Sequence, residues 1–128
     1  MAINLTIAKR ILGVASIAIG VVAVASPARL SRALGLQQDE EAVSAFGARE
    51  IASGAGLLSP VKPGPWFWMR VGGDVMDIAS ISKALKPSNP KRHIAGLVAL
   101  SVAGIAVIDI VMAVQAMVDK EENERAAT

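Results

Sequence analysis

Two long apolar segments in the middle of the chain carry charges where a helix facing lipid carries none, and this limits how they can fold. The first, AVSAFGAREIASGAGLLS, places Arg49 and Glu50 near its centre, and the second, PWFWMRVGGDVMDIASISKAL, carries Arg70, Asp74 and Asp77. A later apolar run, IAGLVALSVAGIAVIDIVMAVQAMV, has Asp109 as its only charge. Ionisable side chains inside apolar helices turn toward a bundle interior, where they pair or serve a purpose. The helices must therefore be arranged so that these six residues face one another.

Composition places such a bundle in a membrane. Residues of the AVILMFWYC set make up 53% of the 128 positions and charged residues 19%, against about 25% charged in a soluble domain. The formal net charge of +2 is too small, and its basic residues too scattered, to point to nucleic acid. With no cysteine there is neither a disulfide nor a thiolate site.

Residues 11–28, ILGVASIAIGVVAVASPA, hold no charge, and extending the run back to Thr6 gives the roughly 20 residues that a bilayer core requires. A signal peptide has a similar profile, but Pro27 would then follow the cut, which disfavours cleavage. Ser26-Pro27 suits the start of a new helix. PARLSRALGL sets Leu30 and Leu34 on one face and Arg29 and Arg32 on another, the pattern of a short helix lying in the membrane interface or of a solvated connector. Gly35 ends it, and Asp39 is placed to cap the next helix.

In the second segment Ser44, Ala48, Ala52 and Gly56 recur every four residues, a small-residue stripe suited to close packing against a neighbour. Ser16 and Gly20 offer a similar face on the first helix, for the bundle or for a partner. The Pro-rich SPVKPGP then forces a turn and an antiparallel neighbour. Trp66 and Trp68 open the third segment as interfacial anchors would, and Trp66 stands one turn before Arg70, placed to stack on it. Arg70, Asp74 and Asp77 share one stripe, so Arg70 can pair with Asp74 along the helix while Arg49 meets Asp77. Gly72 and Gly73 thin the helix beside them for a partner backbone or a ligand.

These readings predict an all-α integral membrane protein, a four-helix up-down-up-down bundle with a short interfacial helix between the first two. Residues 1–118 form the transmembrane domain, with helices at about 7–26, 41–58, 65–85 and 93–118. Residues 119–128 form a charged, solvated tail. Lys9, Arg10, Lys62, Lys120 and Arg125 fall on the side of the termini, and Arg29, Arg32, Lys83, Lys86, Lys91 and Arg92 on the other. Loop charge therefore barely decides orientation, and the reading puts both termini outside.

Fully ionised, the cluster of Arg49, Arg70, Glu50, Asp74, Asp77 and Asp109 would carry −2, so one acid, Asp74 or Asp109, is expected to keep a proton. Three roles suit it. It can specify helix register as structural glue, with the surplus acids bonded to backbone or to Ser53 and Ser80. It can hold the polar head of a lipid- or quinone-like molecule, with Arg49 or Arg70 on a carbonyl, phosphate or carboxylate. It can relay protons or cations. Catalytic and metal-binding motifs are absent from the sequence, and the lone histidine, His93, reads as a surface residue. No cofactor is expected.

The runs FGAREIASGAGLL, WFWMRVGGDVMDIASI and AVIDI, with the opening RILGVASIAIGVVAVASPARLSRALGL, resemble a group of small bacterial four-helix membrane proteins of unknown function, loosely labelled "cyclase/dehydrase". The resemblance covers about residues 9–112. It implies the four-helix fold, the bacterial cytoplasmic membrane and the six-residue polar set, and supplies no activity. Some relatives join this unit to a START-like or coenzyme Q-binding-like domain. The expected function is that of a binding or accessory subunit rather than an enzyme, with the bilayer, a lipid- or quinone-like ligand, and a larger membrane complex or a second copy as partners. The alternative is a proton or cation relay.

Overall fold

The computed structural model describes residues 4–59 and 64–127, so most of the expected SPVKPGP turn lies outside the described residues, as does the tail's last residue. Those described form five α-helices and no strand: α1 (Leu5–Ala25), α2 (Pro27–Leu34), α3 (Glu40–Leu58), α4 (Gly64–Ser82) and α5 (Arg92–Ala127), with a 3-10 turn at Lys83–Leu85.

The helix ends follow local chemistry. Asn4 caps α1 by accepting from the Ile7 amide at 3.2 Å, and Asp39 caps α3 by accepting from Ala42 at 2.9 Å. Pro27 opens α2, where its missing amide proton costs nothing. Gly35, at φ +64, closes α2 in the left-handed conformation that glycine adopts without strain. The charged stretch from residue 119 is helical, because α5 runs on through it to Ala127, and it is exposed from Lys120 on. Its Glu, Lys, Arg and Ala residues are good helix formers, they extend an existing helix rather than nucleate one, and Gln115 donates to Asp119 at 2.9 Å one turn on.

The long helices form two tight antiparallel pairs. In the first, Gly13 of α1 lies on Gly54 of α3, and Gly20 lies on Gly47. A Cβ placed on Gly54 would stand 2.5 Å from the Gly13 carbonyl oxygen, and one on Gly20 would stand 2.5 Å from that of Gly47. In the second pair α4 runs antiparallel to α5. Between the pairs, Leu57, Phe67, Met112 and Ala113 form a core at one end, and Leu36, Ile81, Ala84 and Ala95 form one at the other.

Buried Asn89 ties that second end together. Its side-chain amide donates to the carbonyl oxygens of Gly35 at 2.8 Å and Ala84 at 2.7 Å, and its Oδ1 accepts from the Lys91 amide at 3.0 Å. Asn89→Ala leaves both carbonyls without a donor. It is expected to lower stability by about 1–3 kcal/mol, read from the thermal unfolding midpoint in detergent.

By length and composition two helices can cross a membrane, Thr6–Ala25 and Arg92–Ala127, their most apolar 18-residue stretches reaching mean hydropathies of 2.0 and 2.6. Only 22% of each such stretch is buried, unlike the core helix of a soluble protein. The other two long helices do not qualify, because α3 carries Glu40, Glu41, Arg49 and Glu50, and α4 carries Arg70, Asp74 and Asp77.

Candidate functional site

All six charged residues singled out above meet between the helix pairs. Arg70 is 8% exposed and Asp109 is fully buried. Arg70 Nε donates to Asp109 Oδ1 on α5 at 3.0 Å. Its Nη1 donates to Ser16 Oγ on α1 at 3.0 Å and to Ser53 Oγ on α3 at 3.1 Å. A single α4 side chain thus bonds to each of the other three long helices. Ser16 donates in turn to Glu50, with the main-chain oxygen and Oε2 both 2.7 Å away, and Glu50 Oε2 lies 3.8 Å from Arg70 Nη1.

Beside this knot, Arg49 Nη2 reaches both oxygens of Asp77, at 2.7 and 2.6 Å, as the register of the two helices predicts. The Arg49 guanidinium also lies 5.4 Å over the centre of the Phe46 ring, a cation–π contact. Gly73 provides its room, since a Cβ there would be 3.1 Å from Arg49 Nε. Gly72 plays no such part: it is exposed, and a Cβ on it would meet nothing within 4 Å.

Asp74 does not form the expected hydrogen bond with Arg70 along the helix. It lies within hydrogen-bonding reach of Asp109 instead, and Oδ2 of each acid is buried without a donor. One proton shared between the two carboxyl groups would supply the donor that both lack.

Other sequence expectations are redistributed. Ala48 and Ala52 are exposed and Ser44 is half-buried, so the close contact of α3 falls to Gly47 and Gly54. Gly56 does pack closely, against the Trp66 indole, which helps to cover the core of Leu57 and Phe67 rather than stacking on Arg70. Trp68 is exposed. Arg29 and Arg32 point outward from α2. Ser53 accepts from Arg70 rather than bonding a surplus acid.

Between the charged layer and the core around Ile81 lies a cavity of about 940 Å³. Its walls are largely apolar, including Ile19 and Val22 of α1, Phe46 of α3, and Leu97, Val98 and Val102 of α5. Leu30 and Leu34 of α2 also line it, and Arg49, Glu50, Arg70, Asp74 and Asp77 border it on the charged side. Small-molecule sites commonly enclose roughly 300–1,000 Å³, mostly apolar with a few polar groups that fix orientation. The arrangement can hold an apolar body against one charged wall. Comparison with known proteins finds no match to the chain, whether among family models, curated proteins or solved structures.

Proposed function

We propose that this chain is an integral membrane binding protein whose four long helices all cross the bilayer and whose cavity holds one amphiphilic molecule. The distribution of side chains supports the membrane reading, because polarity is inverted relative to a soluble domain. Ser16, Ser53, Arg70, Asp74 and Asp109 are buried, while Ile11, Val14, Val75, Leu100 and Val107 are exposed. The central charges of α3 and α4 turn inward onto one another, which leaves Met69 and Val75 of α4 on the outside. That internal pairing allows two helices too charged to cross alone to cross as part of a bundle.

The observation that carries the ligand reading is the cavity of about 940 Å³, apolar along its length and charged on one wall. The bundle takes the apolar part of a lipid-, quinone- or isoprenoid-like molecule, and the charged layer takes its polar end. The resemblance to a four-helix family with lipid-binding fusions points the same way. The bacterial cytoplasmic membrane, and a role as an accessory subunit of a larger complex or of a second copy, belong to the same proposal.

The test is native mass spectrometry of protein gently extracted from its membrane, with lipid and quinone analysis of what accompanies it. One hydrophobic molecule per chain is expected in the wild type and none in Ser101→Trp. Ser101 borders the cavity yet is exposed and donates only within its own helix, so the indole can occupy the space without displacing the core. Wild type and variant equally bare would overturn the reading. The contact of Asp74 with Asp109 would then favour the second reading, a proton relay.

A further inference from the structure

Resting on the amphiphile reading, we infer that the head of the bound molecule carries one positive charge, as a long-chain ammonium does, with Asp74 as its counter-ion. The two arginines, the obvious partners for a carboxylate or phosphate head, are already engaged. Asp77 takes Arg49 through both oxygens, and Phe46 covers it. Asp109, Ser16 and Ser53 take Arg70, with Glu50 close by. An anionic head would find only the remaining N–H groups of these guanidiniums, chiefly Nη1 and Nε of Arg49, each flanked by carboxylates of the protein itself.

Asp74 stands differently. It borders the cavity, is 6% exposed, has no arginine hydrogen-bonded to it, and keeps one buried oxygen without a donor. Its hydrogen-bonding neighbour is another acid, Asp109, while Arg49 and Arg70 act on it only through space. Charge over the whole layer points the same way. Two arginines against Glu50, Asp74, Asp77 and Asp109 give a formal −2, and one proton shared between Asp74 and Asp109 leaves −1. A monocationic head brings the layer to neutrality, whereas an anionic head moves it further from neutrality in surroundings that screen charge poorly.

Three probes with one tail and different heads test this: dodecylammonium, dodecanoate and dodecanol. Each is titrated into the full chain in a non-ionic detergent and counted by native mass spectrometry. One dodecylammonium per chain is expected, at least tenfold tighter than dodecanoate and tighter than dodecanol. Asp74→Asn should reduce its binding at least tenfold, and Ser101→Trp should abolish it. Dodecanoate or dodecanol binding as tightly as dodecylammonium, and lost in Ser101→Trp, would overturn the assignment of a cationic head while leaving the amphiphile site standing. Binding of none of the three would overturn both. The wild-type comparison needs no variant, so it decides the matter even if Asp74→Asn fails to fold.

Discussion

Arg70→Ala is expected to destabilise the bundle by about 3–5 kcal/mol, enough to unfold a protein of ordinary stability or bring it to the edge of unfolding. The size of the effect comes from what stays behind. Asp109 has no solvent exposure and would lose the guanidinium that bonds its Oδ1, while its Oδ2 already lacks a donor. Ser16 and Ser53 would lose the donor that links α1 and α3 to α4. Arg70→Lys should fall between variant and wild type, because an ammonium restores charge but cannot reach three helices with one planar fork. Removing both members of the pair, as Arg70→Met with Asp109→Leu, should recover much of the loss, since an apolar pair leaves no uncompensated buried charge. Thermal unfolding followed by helical circular dichroism in a neutral detergent reads all four proteins. Equal losses for Arg70→Ala and the double variant would show that the hydrogen-bond network, rather than the stranded charge, dominates.

The charged site was open to inference from sequence because its rule is strict. A charge at the centre of an apolar helix has few places to go, so Arg49, Glu50, Arg70, Asp74, Asp77 and Asp109 could be grouped before any geometry was known. The Arg49–Asp77 contact followed from register. Arg70 did not, because Asp74 one turn away and Asp109 on another helix are equally good partners to a sequence, and only the packing of α4 on α5 chooses between them.

Helix packing misled for a geometric reason. Residues four apart drift by about 40° per step around a helix of 3.6 residues per turn, so Ser44, Ala48, Ala52 and Gly56 together wind through about 120°. Residues seven apart drift by only about 20°, which keeps Gly47 and Gly54 on one line facing Gly20 and Gly13, spaced likewise. The matching sevenfold spacing on α1 and α3 was the available signal. The cavity had none, since it depends on how far two helix pairs stand apart, and local patterning does not encode that distance. The helical state of the last turns of α5 had no signal in apolar periodicity, although a helix already formed extends readily through Glu, Lys and Ala.

The α1–α3 seam gives the second large effect. Gly20→Val is expected to separate the pair, at a cost of about 1–3 kcal/mol or more. The atoms that a Cβ on Gly20 would meet are the Gly47 carbonyl oxygen at 2.5 Å, Ile51 Cγ1 at 2.7 Å and the Ile51 amide nitrogen at 2.9 Å. Two of the three are backbone, so a rotamer change cannot relieve the clash and the helices must move apart. Separation also draws Ser16 away from Glu50 and from Arg70, so the seam and the charged layer weaken together. Glycine itself is not the cause, as a control on α5 shows. A Cβ on Gly104 meets nothing within 4 Å, so Gly104→Ala should be neutral or stabilise the helix by up to about 1 kcal/mol. Unfolding midpoints that fall for Gly20→Val and hold or rise for Gly104→Ala would place the seam between α1 and α3. Equal tolerance of both substitutions would mean that the two helices do not approach this closely, and Arg70 could then not bond Ser16 and Ser53 at once.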